Sequence, residues 1–240
     1  MSVAVGVLCS DGVVVGSDSA AVATDSSAPI AGGPTRKTFV VGKDLLLAGS
    51  GPAGLLQRFR AIAGELREDS RFPELHPRVI VRDLSAATLD DFAATKAAPG
   101  QLGAVAAFVT ATGPHLCEFA RSDFQPELKS EESPTASAGE GRAVVDALLG
   151  LIARVWFPGR LPTLDEGRYA VCWALHHAQQ LGAAGVRGPL QMAVLRRELP
   201  ELPMTGHLLS AEEIDRQLQR VAAAERHLAE FARELGGGSR

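Results

Sequence analysis

Ser2 stands directly behind Met1. A small residue there permits removal of the methionine, which would leave one carbon carrying both a hydroxyl side chain and a free α-amine. Such an amine titrates at about 7.7 to 8.0 when unperturbed, well below a lysine, so a modest push makes it neutral near pH 7 and able to take the hydroxyl's proton. The chemistry is that of an activated hydroxyl nucleophile whose base is the end of its own chain. Serine is also frequent at position two simply because it is small, so Ser2 carries this chemistry only in the company of suitable partners.

Other chemistries are more weakly supported. Gly49-Ser-Gly51-Pro-Ala-Gly54 has the form of a dinucleotide fingerprint after a strand and before a helix. The stretch from Ser70 to Pro77 offers no second parallel strand ending in an acid, however, and a tight strand-to-helix turn is the simpler reading. Cys172 and His176 lie four apart without a third ligand at compatible spacing, so no metal is expected. Cys9, Cys117 and Cys172 are odd in number and lack redox spacing, which predicts reduced thiols and a cytoplasmic protein. A formal charge of −4 gives no basic footprint, so neither nucleic acid nor an anionic membrane surface is an expected partner. No apolar run reaches the length of a membrane helix, and no signal peptide is discernible. No cofactor is implied.

The elements that must position these residues begin with a hairpin. Ser2-Val-Ala-Val-Gly-Val-Leu-Cys and Val13-Val-Val-Gly-Ser-Asp18 flank a Ser10-Asp11-Gly12 turn signal. Residues 19–35 read as a loop. Strands follow at 37–41 and 45–49, and Leu55, Leu56, Phe59, Ile62 and Leu66 mark a helix from Pro52. Pro73 and Pro77 interrupt the next stretch, and a second helix is expected at 84–94. A hairpin at 103–110 and 115–121, helices at 141–156 and 164–181, a strand at 190–195 and a terminal helix at 211–235 complete the chain. Capping boxes at Thr163-Leu-Asp-Glu166 and Ser210-Ala-Glu-Glu213 mark two helix starts. Ile214, Leu218, Val221, Leu228, Phe231 and Leu235 form one apolar stripe, and Trp156, Phe157, Tyr169 and Trp173 are expected in the core or at a subunit contact. The order predicts an α+β fold in one domain over 1–235, with 236–240 as a flexible tail.

In this setting the N-terminal third resembles the proteasome β-type family, including bacterial HslV and Anbu, within the N-terminal-nucleophile hydrolases. Ser2-Val-Ala-Val-Gly, Ser10-Asp-Gly-Val-Val-Val-Gly and Ser17-Asp18 match the family's opening strand, turn, second strand and buried aspartate. Lys37 and Ala48-Gly49 reproduce its lysine and its Ala-Gly pair twelve residues on, as in HslV. The resemblance is strongest over residues 2–66. It implies a four-layer αββα sandwich and a peptidase or amidohydrolase working in a self-assembled ring or spiral on peptide or unfolded-protein substrates, with any ATPase partner left unassigned. Ser2 would be the nucleophile, Lys37 the buried cation that lowers the pKa of the hydroxyl and amine, Asp18 its counter-charge, and Gly49 the backbone donor to an oxyanion. A buried lysine without a counter-charge would shed its proton, so the Lys37–Asp18 pairing is also sound on physical grounds. Taken singly, Asp18 could be a turn acid, Lys37 a solvated strand residue and Gly49 a strand breaker.

The pattern also departs from the family. Gly139, in Ala138-Gly139-Glu140-Gly141, stands where a serine that assists the amine is usual, and Ser137 is out of register. Ala183-Ala-Gly-Val186 lacks the Asp-x-x-Ser pair of archaeal and eukaryotic subunits, and Ser19-Ala20-Ala21 follows Asp18 without a basic residue. These losses make an inactive homologue serving as an assembly scaffold the alternative expectation.

Overall fold

Valines on both sides of a two-residue turn close the first hairpin, because β-branched side chains fit a pleated, buried surface. β1 (Val3–Cys9) pairs antiparallel with β2 (Gly12–Ser17), with Val7 opposite Val14 and Cys9 opposite Gly12. The computed structural model describes residues 2–20, 34–97 and 100–237, so most of the expected 19–35 loop lies outside the described residues. The chain continues through β3 (Thr38–Val41), β4 (Leu45–Ser50), α1 (Ala53–Glu68), a 3-10 turn at Phe72–Glu74 and α2 (Pro77–Ala94). Then come β5 (Gly103–Thr110), β6 (Gly113–Phe119), β7 (Pro126–Leu128), β8 (Thr135–Gly139), α3 (Arg142–Trp156) and α4 (Leu164–Gln180). A 3-10 turn at Ala183–Gly185, β9 (Gln191–Arg196), β10 (Thr205–Leu208) and α5 (Ala211–Gly237) complete it.

The strands form two five-stranded sheets, ordered β10-β9-β2-β1-β8 and β3-β4-β5-β6-β7, and every described pairing is antiparallel. Three apolar clusters stack with them. Val3, Val5, Val7 and Val14 of the first sheet pack against α3, α4 and α5 through Leu149, Val171, Leu175 and Val221. Small residues, Ala4, Ala48, Ala107, Ala136, Ala138 and Ala193, fill the space between the sheets together with Val13, Leu46, Val105, Leu116 and Leu195. Leu47, Ala104, Ala106 and Phe119 of the second sheet meet α1 and α2 through Phe59, Ile80 and Leu84. The result is an α+β sandwich with helices on the outer face of each sheet. The alanine-rich middle layer lets the two sheets approach closely, while both faces of each sheet leave water, which is why the strands read as nearly continuous apolar runs.

Several local expectations differ from the structure. Pro77 opens α2 instead of breaking a helix: at the first helical position its missing N–H is one that would be unpaired anyway, and His76 Nδ1 accepts from Arg78 N at 3.2 Å. α2 therefore begins seven residues before the expected 84. β7, β8 and β10 are short, rich in Pro, Gly, Ala or Ser, and held by pairing with neighbours, so their own composition gave no strand signal. Gly236 and Gly237 continue α5, so the tail expected from 236 does not begin there, and 238–240 lie outside the described residues. Both capping boxes form; Glu213 N donates to Ser210 Oγ at 3.2 Å and Ser210 N to Glu213 Oε2 at 2.8 Å.

Candidate active site

The second sheet's edge and the first sheet's central hairpin meet where β2 ends and β3 begins. Ser17 and Thr38 tie the two sheets there by a hydroxyl–hydroxyl bond of 2.8 Å. The next residue outward on each strand is charged. Lys37 Nζ donates to Asp18 Oδ2 at 2.9 Å, with side chains only 7% and 0% exposed. The other carboxylate oxygen of Asp18 accepts from Val3 N at 3.0 Å, and Ala20 N donates to Oδ2 at 3.1 Å. Asp18 thus links the lysine to the peptide group directly after Ser2. Three donors converge on this one buried carboxylate, which holds the ammonium at hydrogen-bond distance.

Lys37 feels two opposing influences. Burial, the larger, pulls its pKa below the ordinary lysine value, and the charge and hydrogen bond of Asp18 push it back up. Its backbone is fixed from β9: Gln191 Oε1 accepts from Lys37 N at 2.8 Å and Thr38 N at 3.2 Å, while Gln191 Nε2 donates to Thr35 O at 2.9 Å. A lone glutamine at a strand's start carries no sequence signal for this clamp; only the approach of β9 to β3 makes it one.

Ser2 is 3% exposed. Its Oγ donates to Ser50 Oγ at 2.6 Å, and Ser50 Oγ donates to the Ser2 carbonyl at 2.9 Å. That carbonyl also accepts from Glu140 N at 3.1 Å. Ser50, the last residue of β4, is a site residue that sequence reading passed over as part of the glycine-rich turn. Gly51 explains the turn itself: at φ +151° a Cβ would run into the carbonyl of Gln101. The Gly49-x-Gly51-x-x-Gly54 segment therefore serves a tight strand-to-helix connection in an antiparallel sheet.

Gly49 stands opposite Lys37, one residue past the last β3–β4 pair. Its N–H, the expected oxyanion donor, is given to the Lys37 carbonyl at 3.1 Å, extending the β3–β4 ladder by one pair. An incoming oxyanion would have to displace that carbonyl. Gly49 is held side-chain-free by packing, since a Cβ there would enter the Leu56 side chain. Ser137 does not substitute for the serine absent at 139. It points to α3, where its Oγ donates to Asp146, and its amide donates to Glu118 Oε2 at 3.2 Å. Gly139 itself has φ +115°, and a Cβ on it would lie 2.6 Å from Ser50 Cβ and on the Ser2 carbonyl. The structure thus bonds Lys37 to Asp18 and Asp18 to the amide that follows Ser2, bonds the Ser2 hydroxyl to Ser50, and sets Gly49 opposite Lys37.

The cysteines and histidines stand apart from this site. Burial raises the Cys172 thiol to about 12 and pushes Cys9 and Cys117 higher, so all three are poor nucleophiles. No group of three His, Cys, Asp or Glu side chains among the described residues is arranged to hold a metal ion. No described helix is long and apolar enough to cross a membrane. The chain matches no protein-family model, and comparison with characterised proteins returns no match.

Proposed function

We propose that this chain is a proteasome-like peptidase or amidohydrolase of the N-terminal-nucleophile hydrolase fold, with Ser2 as nucleophile once Met1 is removed. The observation that carries the reading is the dry Ser2–Asp18–Lys37 linkage: an ammonium–carboxylate couple hydrogen-bonded to the peptide that bears the hydroxyl. In the proposed reaction the α-amine takes the Ser2 Oγ proton while Oγ bonds to the substrate's carbonyl carbon and the π pair moves to oxygen. Collapse of that intermediate breaks the C–N bond, and the ammonium proton goes to the leaving nitrogen. Water then hydrolyses the resulting ester and returns the proton to Oγ. Lys37 supports both proton transfers as a nearby positive charge in a low-dielectric site that disfavours a protonated amine. Peptides or unfolded chains are the proposed substrates, in the cytoplasm. Leu228, Phe231 and Leu235, exposed on the last turns of α5, support self-association into a ring or spiral.

A second reading, an inactive homologue acting as an assembly scaffold, is favoured by the engaged Gly49 amide and the bare Gly139. Two measurements separate the readings. Intact mass should show a chain beginning at Ser2, and a fluorogenic peptide amide or an activated ester should be cleaved by the wild-type protein and not by Ser2→Ala. Retention of Met1, or full activity in Ser2→Ala, overturns the hydrolase reading.

A further inference from the structure

We infer that Ser50 is the proton-relay hydroxyl for Ser2, a catalytic residue in direct contact with the nucleophilic oxygen; this rests on the hydrolase reading above. The starting point is a geometric difficulty. Passing a proton straight from Ser2 Oγ to the amine on its own Cα closes a five-membered ring, and the O–H···N angle in such a ring is far from the near-linear geometry a strong hydrogen bond needs. A second hydroxyl inserted between them enlarges the ring to seven and straightens both transfers.

Ser50 has the contacts for that insertion. The α-carbon of Ser2 carries three heavy-atom substituents: the amine, the carbonyl carbon and the CH2 that bears Oγ. Ser50 Oγ already touches two of the three groups, accepting from Ser2 Oγ at 2.6 Å and donating to the Ser2 carbonyl at 2.9 Å. A hydroxyl has one proton and two lone pairs, and in the proposed relay the Ser50 O–H rotates about its Cβ–Oγ bond, from the carbonyl to the amine that removal of Met1 frees. The transfer then balances. Ser50 Oγ receives the Ser2 proton, its own proton passes to the amine lone pair, Ser2 Oγ gains the electrons that form the bond to the acyl carbon, and Ser50 is left unchanged.

Three further facts single out this hydroxyl. Ser50 is 3% exposed, so its hydroxyl is shielded from bulk solvent. Gly139 cannot carry a side chain while Ser50 is present, because a Cβ there would overlap both Ser50 and the Ser2 carbonyl. Ser137, the other serine nearby in sequence, is committed to Asp146. β4 therefore supplies the hydroxyl that β8 cannot.

The test uses the purified full chain with Met1 removed, confirmed by intact mass. Acylation of Ser2 by p-nitrophenyl acetate is followed by mass and by p-nitrophenol release, in H2O, D2O and mixtures. Wild type should acylate at Ser2, with a bowed dependence of rate on deuterium fraction, the mark of two protons moving together. Ser50→Ala should slow acylation by roughly a hundredfold, the lower end of general acid–base contributions. Its affinity for the ester should hardly change, and its dependence on deuterium fraction should become a straight line. Ser50→Thr, which keeps the hydroxyl, should restore most of the rate and the bowed curve. A Ser50→Ala protein with the wild-type rate and a bowed curve, beside an inert Ser2→Ala, overturns the relay and leaves the Ser2 reading intact. Equal acylation of Ser2→Ala overturns both. A straight line in wild type also overturns the relay.

Discussion

Asp18 and Glu118 are both carboxylates withdrawn from water, one at the end of β2 and the other inside β6, yet their surroundings differ in kind. Among the described residues Asp18 has one cation, Lys37, and its other partners are the backbone amides of Val3 and Ala20. Glu118 forms ion pairs with Lys129 at 3.1 Å and Arg142 at 2.7 Å and accepts from the Ser137 amide, and each of its cations has a second acid: Glu127 for Lys129, Asp146 for Arg142. Arg142 is also 43% exposed along its side chain. Among the described residues the first arrangement is closed and has no substitute partners. The second is shared and partly wet, and through Glu118 it occupies one amide, that of Ser137, on the edge strand β8. A reactive hydroxyl needs the first kind of neighbour, because a cation that can be screened or re-paired exerts little influence on it.

If that contrast is right, Asp18 should be the most sensitive charged position in the chain. Asp18→Asn leaves Lys37 buried with no counter-charge and should destabilise by about 3–5 kcal/mol, the usual result of breaking a buried pair on one side. Thermal unfolding should fall by roughly 6–20 °C for a chain of this size, and hydrolysis should be lost. Lys37→Met should cost less, because Asp18 keeps two amide donors. The two variants should also differ with pH. Burial lowers the Lys37 pKa in the folded state, so between that value and the ordinary lysine value the unfolded chain holds the extra proton. Stability from this group therefore rises as pH climbs through that window and is diminished below it. Urea titrations from pH 7 to pH 10 should show that rise in wild type and a flatter profile in Lys37→Met. An Asp18→Asn protein as stable as wild type would break the contrast.

How much of this was legible beforehand follows the same division. Ser2, Asp18 and Lys37 could be placed because the strand–turn–strand pattern around Ser10-Asp11-Gly12 fixes which residues follow β2 and begin β3, and the buried pair depends on little else. The main layers were legible for a related reason: runs such as Val13-Val-Val and Leu45-Leu-Leu are too apolar for a half-exposed sheet. What could not be read depends on approach through space. Ser50 sits in a segment whose glycines drew attention to backbone geometry, and its contact with Ser2 spans 48 positions. Gln191 acts on Lys37 across 154 positions. The engaged amide of Gly49 depends on the register of β3 against β4, which sets it opposite Lys37 and which neither strand's own pattern fixes. β8, Thr-Ala-Ser-Ala-Gly, has almost no strand propensity of its own and exists because β1 and the Glu118 cluster hold it.

Glu118 sharpens the comparison from its other side. Glu118→Gln removes the charge but keeps an acceptor for the Ser137 amide, and Lys129 and Arg142 retain Glu127 and Asp146. The expected destabilisation is about 1–3 kcal/mol, the range for a weakened buried hydrogen-bonding group, and hydrolysis should be nearly unchanged. Denaturant unfolding of Glu118→Gln and Asp18→Asn under one set of conditions checks the ranking. Equal losses would mean that sharing partners gives no protection, and the Glu118 cluster would then have to be regarded as closed like the Lys37 pair.

The smallest effect is expected far from either carboxylate, at the start of α4. There Thr163 and Glu166 satisfy each other's backbone: Glu166 N donates to Thr163 Oγ1 at 3.4 Å, and Thr163 N to Glu166 Oε2 at 2.8 Å. Thr163→Ala removes one half of this box and leaves the other, so the loss should be about 1 kcal/mol. Arg160, which reaches Glu166 at 2.6 Å and holds its carboxyl down to about 2, keeps the glutamate in place. The exposed pair adds little by itself. Because α4 covers the outer face of β1 and β2 and makes no bond to Ser2, Asp18 or Lys37, Thr163→Ala should lower the unfolding midpoint by a few degrees while kcat and the pH profile stay put. A change in the pH profile would show that the Ser2 site feels the helix layer through the hairpin, and that its isolation from the rest of the sandwich is less complete than its hydrogen bonds indicate.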